Sequence, residues 1–128
     1  MSDKLTGIVL AHAEVAEAFV SAVQAIAGTD HGLVPVSNMG CDRAGLTARL
    51  EQAIAGRPAI IFADMPGGSC AFSAAAFARG RDTIRVVTGV NLAMLLDFAF
   101  HRDLSPAEAS ARAYETGRGS VTQVGGGA

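Results

Sequence analysis

The stretch IVLAHAEVAEAF, residues 8–19, changes its pattern at one ionisable side chain, His12. The apolar run before it, residues 5–11, is typical of a buried β-strand. From residue 14 to residue 27 the apolar positions recur at helical spacing instead. The predicted buried face of that helix comprises Val15, Phe19, Ala22 and Ile26. A buried strand that passes directly into a helix is the first half of a parallel βαβ unit.

The alternation of strands and helices continues along the chain. Further strands are predicted at residues 33–36, 59–63 and 84–88, the first of them at a sheet edge because it contains Pro35. Helices are predicted after the capping residue Asp42, over residues 70–78, after Asn91, and from the Ser105 capping box to residue 116. This order implies a single α/β domain over residues 1–128, with helices on both faces of a doubly wound, mostly parallel sheet of strand order 2-1-3-4.

The C-terminal end is expected to differ from this regular pattern. Gly117 and Gly119 are predicted to end the last helix, since glycine is a poor helix former. Residues 121–124 are a candidate antiparallel strand at the sheet edge. Residues 125–128 are expected to be a frayed tail.

Composition narrows the classes of function. Half of the 128 residues are hydrophobic, which excludes a disordered chain and suits one folded domain. A net charge of −2 gives no basic face, so nucleic acid is not an expected partner. No apolar stretch approaches the roughly 18 residues of a membrane helix, and no signal-peptide pattern opens the chain, so a cytoplasmic location is expected. Cys41 and Cys70 lack metal-finger or C-x-x-C spacing, which predicts free thiols, with one disulfide as the alternative.

His12 and Asp64 each follow a predicted central strand. In a sheet of this order, ligands bind outside the carboxyl ends of strands 1 and 3, so these two side chains are expected to meet there. A carboxylate that accepts a proton from one imidazole nitrogen makes the other nitrogen more nucleophilic. Gly67, Gly68 and Ser69 open the next helix, whose N-terminus suits an anion. This combination is what reversible phosphorylation of a histidine requires.

Each of these residues also has a simpler interpretation. His12 alone is a polar residue on the rim, Asp64 a helix or turn cap, and the paired glycines a tight turn. His31 lies in a predicted turn, and His101 lies near a helix C-terminus, where a cation is favourable anyway. Only the joint placement of His12 and Asp64 favours function.

Four segments together resemble the IIA domains of the mannose-type sugar phosphotransferase system. They are IVLAHAEVAEAF, IIFADMPGGSCAFSAAA, VVTGVNLAMLLDFAF and AYETGRGSV, in the order and spacing of that family. The resemblance covers nearly the whole chain.

The resemblance implies a role for each site residue. In that family the histidine after strand 1 takes a phosphoryl group from the phosphocarrier protein HPr. It passes the group to a IIB domain, which phosphorylates sugar at a membrane permease. His12 matches this histidine, Asp64 the aspartate that orients it, and Ser69 the serine that helps to hold the phosphoryl group. The resemblance also implies a homodimer that exchanges a C-terminal strand, here residues 120–124.

The chain departs from the family pattern next to these residues. Ala11 and Ala13 flank His12, where the family often has a small hydroxyl residue or glycine before the histidine and a glycine after it. Cys70 stands where a proline usually follows the Gly-Gly-Ser sequence. Cys70 is either a redox-sensitive group or, as the simpler expectation, a small core residue.

Three other functions remain open from the sequence. The same histidine suits a regulatory sensor of phosphorylation, or a phosphocarrier of the dihydroxyacetone kinase type. Residues 67–71 nearly fit the G-x-S-x-G nucleophile elbow, which would make the protein a small serine hydrolase using Ser69. No cofactor is expected, because there is no Walker A or G-x-G-x-x-G motif and no metal-ligand spacing.

Overall fold

Four parallel strands form one sheet in the order β2-β1-β3-β4. In the computed structural model, which describes residues 4–126, the strands are β1 (Thr6–Ala11), β2 (Leu33–Ser37), β3 (Ala59–Ala63) and β4 (Ile84–Thr88). The helices are α1 (Val15–Ala27), α2 (Arg43–Ile54), α3 (Gly68–Ala78), α4 (Leu92–Ala99) and α5 (Pro106–Gly119). The predicted fold class and strand order are therefore confirmed.

The sheet separates two hydrophobic cores. One face packs against α1, α4 and α5, where Phe62 and Phe98 meet edge to face with ring centroids 5.3 Å apart. The other face packs against α2 and α3. Every residue of the two central strands, β1 and β3, is buried. Helices on both faces account for these continuous apolar runs, since a parallel sheet of this kind exposes neither side of its central strands.

The buried face of α1 differs from the predicted one. Val15 and Ile26 are 41% and 61% exposed, whereas Ala16 and Val23 are fully buried. The predicted Phe19 does pack against the core, together with Val20. The buried face therefore runs through Ala16, Phe19, Val20 and Val23, so only part of the predicted face is correct.

The C-terminal prediction was wrong in two respects. Helix α5 continues past residue 116 to Gly119 because Gly117 is buried against Met94 of α4, where a small residue allows the two helices to approach closely. Residues 121–126 form no strand, and Val121 and Val124 are 79% and 91% exposed. A strand needs a hydrogen-bonded neighbour, and this segment does not pair with the sheet of its own chain. Of the tail expected at 125–128, residues 127 and 128 lie outside the described residues.

Within residues 4–126, no helix is both long enough and apolar enough to cross a membrane.

Candidate functional site

Three polar residues follow three neighbouring strands at the carboxyl edge of the sheet. His12 follows β1, Asn38 follows β2 and Asp64 follows β3. Parallel register carries over beyond the strands, because the Asn38 N–H donates to the Ala11 carbonyl at 3.2 Å and the Asp64 N–H to the Leu10 carbonyl at 3.2 Å. The structure therefore brings His12 and Asp64 together, as predicted.

Asp64 holds His12 by two hydrogen bonds to one oxygen. Oδ2 accepts the backbone N–H of His12 at 2.9 Å and lies 2.8 Å from ring atom Nδ1. An ionised carboxylate only accepts hydrogen bonds, so Nδ1 carries the ring proton of the neutral imidazole. Nε2 is then left with its lone pair. The His12 side chain is 40% exposed, whereas that of Asp64 is 15% exposed.

The charge of Asp64 is maintained by its contacts with His12. Burial raises the pKa of this carboxyl group, but the backbone and side-chain hydrogen bonds from His12 lower it by a larger amount. The pKa therefore lies below the usual 3.8. Asp64 is therefore ionised at neutral pH. Its second oxygen, Oδ1, is buried and has no hydrogen-bond partner among residues 4–126.

The turn between β3 and α3 brings backbone against the imidazole. Gly68 has φ +90°, and a Cβ there would lie 3.6 Å from His12 Cε1 and 3.8 Å from Nε2. Glycine therefore satisfies a left-handed conformation and leaves space beside Nε2. Gly67 caps α3 without a side-chain hydrogen bond, so N–H groups of the first turn remain available to an anion.

Ala13 adopts a backbone conformation that usually belongs to glycine. Its φ is +51°, and the Ser37 hydroxyl donates to its carbonyl at 2.7 Å. The loop after His12 therefore has the shape that a glycine would favour, although the chain has alanine there. An L-residue in this region is strained by about 1–2 kcal/mol.

Asn38 is the site residue that the sequence analysis missed. Its side-chain amide donates to the Ser69 hydroxyl at 3.3 Å, which links the end of β2 to the first turn of α3. Its signal was present in the sequence, because Asn38 follows a predicted strand that neighbours β1. The same argument that selected His12 and Asp64 applies to it.

Cys70 lies under the imidazole. Its side chain is fully buried, and its Sγ is 3.7 Å from His12 Nδ1. Burial, followed by the nearby charge of Asp64, raises the pKa of the thiol to about 11. A buried thiol that stays protonated is a poor nucleophile, so the core interpretation is favoured over redox sensitivity. Both cysteines are free thiols, as predicted.

The structure also brings together three side chains that could bind a metal ion, a combination that the sequence did not reveal. One donor atom each from His12, Asp64 and Cys70 lies within 4.8 Å of the others. Asp64 is 52 positions from His12 in the sequence, and Cys70 is 58 positions from it. No local spacing could therefore predict the cluster.

The other two histidines lie outside this edge. His31 is buried just before β2, where its Nδ1 accepts the N–H of Leu33 at 2.9 Å. His101 follows α4 and bonds through Nδ1 to the carbonyl of Asp97 at 2.8 Å. Both positions agree with a structural role.

Large apolar side chains are exposed close to the strand ends. Met39 follows β2, Met65 follows β3 and Phe72 lies in α3, and each is about half exposed, at 52%, 49% and 52%. The Arg43 guanidinium stacks on Phe72, 4.2 Å from the ring centroid. A cavity of about 300 Å³ opens beside Ser69 and Phe72. Met65 and Phe72 are therefore surface residues.

Comparisons with known proteins agree with this arrangement. The sequence model of the family EIIA-man, described as PTS system fructose IIA component, matches residues 7–115. No curated protein sequence is significantly similar to the chain.

Solved structures of IIA proteins have the same fold. The mannose/sorbose specific IIA subunit of the phosphotransferase system from Enterococcus faecalis matches with a TM-score of 0.85 and 26% identity, covering 98% of each chain. The phosphotransferase system component EIIA from Streptococcus agalactiae matches with a TM-score of 0.86 and 18% identity, covering 93% of this chain and 96% of the other. The PTS IIA protein associated with the fucose utilization operon of Streptococcus pneumoniae has a TM-score of 0.77 at 16% identity, with 94% and 93% covered.

The family match spans most of the chain and includes the edge of the sheet where His12, Asp64 and Ser69 lie. The chain therefore belongs to the EIIA-man family, the mannose/fructose-type IIA components of the phosphotransferase system.

Proposed function

We propose that this IIA protein is a histidine phosphocarrier, in which Nε2 of His12 accepts a phosphoryl group from phospho-HPr and passes it to a IIB protein. The observation that carries the proposal is the hydrogen bond of 2.8 Å between His12 Nδ1 and Asp64 Oδ2. It fixes the ring proton on Nδ1 and leaves the Nε2 lone pair for attack. Through its IIB partner, the protein would serve a sugar permease in the membrane while itself acting in the cytoplasm.

The proposed reaction is an in-line transfer between two histidines. The Nε2 lone pair of His12 forms a bond to phosphorus while the nitrogen–phosphorus bond of the donor breaks, and that electron pair returns to the donor imidazole. The His12 ring becomes positively charged as the new bond forms. The carboxylate of Asp64, held next to Nδ1, stabilises that charge. The same steps in reverse deliver the group to the acceptor.

The turn after β3 is suited to the transferred group. Gly68 leaves open space beside Nε2, and the N-terminus of α3 provides N–H groups and a positive dipole end for the phosphoryl oxygens. Ser69 adds a hydroxyl that Asn38 orients by its hydrogen bond. Positioning and charge stabilisation do most of the catalysis in phosphoryl transfer, so this set of groups suffices without a catalytic base.

The surface around His12 fits a protein as the donor and acceptor. Met39, Met65 and Phe72 are exposed in the segments that follow β2 and β3, and methionine and aromatic side chains are enriched at protein interfaces. We infer that HPr and the IIB protein dock on this surface in turn. HPr must place its phosphorylated histidine opposite Nε2, and the IIB protein must place its acceptor histidine there.

The test is phosphorylation from phosphoenolpyruvate with purified enzyme I and HPr. The wild type is expected to take up an acid-labile, base-stable label, and His12→Gln is expected to take up none. His101→Gln is the matched control, because His101 is similarly exposed but remote from the site, and it should label like the wild type. Label on His12→Gln would show that a residue other than His12 carries the phosphoryl group. No label on the wild type, with a competent donor present, would contradict the phosphocarrier role.

We also propose that the protein is a homodimer in which residues 120–124 pair with the partner. Strand β4 is hydrogen-bonded to β3 and has an open outer edge, and a cavity of about 420 Å³ runs beside its residues Arg85 to Thr88. The exposed segment after α5 has the apolar residues, Val121 and Val124, that an added strand needs. Light scattering at low micromolar concentration should give a dimer, and removal of residues 120–128 should give a monomer. A monomeric wild type would refute the proposal.

A further inference from the structure

Donor atoms of three chemically different side chains, those of His12, Asp64 and Cys70, lie close together at the site. Nδ1 of His12 lies 2.8 Å from Oδ2 of Asp64 and 3.7 Å from Sγ of Cys70, and all three atoms lie within 4.8 Å of one another. It is the one such cluster of three possible metal-ligating side chains found in the part of the chain that the structure describes. We propose that this cluster binds a divalent zinc ion, and that zinc bound there blocks phosphorylation of His12.

The donor set selects the class of ion. An imidazole nitrogen, a carboxylate oxygen and a thiolate sulfur together suit borderline-soft Zn²⁺, whereas Mg²⁺ and Ca²⁺ prefer oxygen donors alone. With metal–ligand distances of about 2.0–2.3 Å, two ligands of a tetrahedral zinc ion lie about 3.3–3.8 Å apart. The separation of Nδ1 and Sγ already falls in this range. The pair Nδ1 and Oδ2 has to open by roughly half an ångström. The third pair, Oδ2 and Sγ, lies within 4.8 Å and has to come within the same range.

The surroundings allow that movement and provide access. The His12 side chain is 40% exposed, whereas Cys70 is fully buried, so the imidazole is the part of the cluster that solvent reaches. Asp64 Oδ1 is buried with no hydrogen-bond partner among residues 4–126, so its charge is incompletely compensated. A cation bound to Oδ2 would compensate the negative charge of this carboxylate. Three protein ligands leave a fourth position for water.

Binding of zinc releases one proton from the protein. The thiol of Cys70 gives up its proton to solvent as the zinc–sulfur bond forms. On His12 the zinc takes the Nδ1 lone pair, so the single proton of the neutral imidazole must reside on Nε2. Nε2 then has no lone pair with which to attack phosphorus. The blocking effect rests on the proposed phosphocarrier function, whereas the binding does not.

The experiment separates the two statements. Co²⁺ is titrated into the full chain as a spectroscopic substitute for Zn²⁺, and Zn²⁺ is then used to displace it. The wild type should bind one ion and show thiolate-to-cobalt charge-transfer absorption in the near ultraviolet, together with intense visible bands of a tetrahedral site. Cys70→Ala should lose the thiolate band, and both Cys70→Ala and His12→Gln should weaken zinc binding by about tenfold or more. Cys41→Ala and His101→Gln are the matched controls and should bind like the wild type.

Each result decides one part of the proposal. Equal zinc affinity in all five proteins, or a wild-type cobalt spectrum without thiolate absorption, would overturn the site. His12→Gln keeps this test valid even where the loss of a buried cysteine disturbs folding. The blocking effect is measured as the phosphoryl label on the protein with one equivalent of zinc, divided by the label without zinc. Reactions with HPr and enzyme I alone control for effects of zinc on the donor proteins. That ratio should fall at least about tenfold in the wild type and stay near one in Cys70→Ala. Zinc binding at the cluster with an unchanged ratio in the wild type would overturn the blocking effect and leave the phosphocarrier role standing.

Discussion

One oxygen of Asp64 accepts two hydrogen bonds from His12, at 2.9 Å from the backbone N–H and at 2.8 Å from ring Nδ1. The backbone bond fixes the loop that leaves β1, and the ring bond fixes the imidazole on that loop. The same carboxylate thus positions both the main chain and the side chain of the proposed nucleophile. It also joins the ends of two strands whose residues are 52 positions apart.

Asp64→Asn should therefore impair both phosphoryl transfer and stability. Asparagine keeps an acceptor oxygen but loses the charge that stabilises the ring in the transition state. We expect the labelling rate to fall by about tenfold or more, and the free energy of unfolding to fall by about 1–3 kcal/mol. Asp42→Asn is the matched control, because Asp42 caps α2 through Gly45 and asparagine caps as well as aspartate does. Equal labelling rates for Asp64→Asn and wild type would contradict the orienting role.

The same carboxylate predicts a pH dependence of stability. Burial disfavours its charge, but the hydrogen bonds from His12 outweigh burial, so the pKa of Asp64 in the folded protein lies below 3.8. A group with a lowered folded pKa stabilises the protein above its unfolded pKa and loses that contribution as the pH falls through the folded value. The difference in unfolding free energy between wild type and Asp64→Asn should shrink as the pH is lowered from about 6 to about 3. Urea unfolding at several pH values measures this difference. A difference that stays constant with pH would show that the charge of Asp64 is not its cause.

The parts of the fold that follow from local pattern were predictable from the sequence. Residues 59–63 and 84–88 were predicted as strands and are β3 and β4 without a shift, because short apolar runs between turn residues leave little choice. Asp42 and Ser105 cap their helices as predicted, since a capping side chain acts within three residues. The meeting of His12 and Asp64 followed from the strand order alone.

The features that depend on packing between distant segments were not predictable. Gly117 reads as a helix breaker, but contact with Met94 makes it an interior residue of α5. Likewise, Cys70 reaches His12 across 58 positions, a contact set by how α3 packs on the sheet. The left-handed conformation of Ala13 was not predicted either, because alanine rarely adopts it.

Gly68→Ala should lower both stability and phosphoryl transfer. The left-handed conformation at φ +90° costs an alanine about 1–2 kcal/mol, and the added methyl group would lie 3.8 Å from Nε2 of His12, in the space proposed for the phosphoryl group. Gly67→Ala is the matched control, because a Cβ there meets no atom within 4 Å. Chemical unfolding and labelling rates of the two variants measure both effects. If Gly67→Ala loses as much transfer activity as Gly68→Ala, the space beside Nε2 is not the cause.

Ala13→Gly should stabilise the protein. Glycine relieves the left-handed strain at φ +51°, which exceeds the entropy that it adds to the unfolded chain, so a net gain of about 0.5–1 kcal/mol is expected. Ala55→Gly, at φ +52° at the C-terminus of α2, should give a similar gain far from His12. Ala75→Gly, on the exposed side of α3, should instead cost about 1 kcal/mol. Thermal unfolding of the three variants separates strain relief from a general effect of glycine, and destabilisation at both left-handed positions would argue against strain.

Gly117→Ala tests the close approach of α4 and α5. A Cβ at this position would lie 3.0 Å from Met94 Cβ and still closer to the end of that side chain, so the helices have to separate. Overpacking of this kind costs about 1–3 kcal/mol, which the better helix propensity of alanine offsets by about 1 kcal/mol. A net loss of up to about 2 kcal/mol is therefore expected. Gly119→Ala, in the last turn of the same helix, has no atom within 4 Å of the new Cβ and should be neutral or slightly stabilising. Urea unfolding of both variants measures the difference, and equal stabilities would mean that Gly117 is not required for packing against Met94.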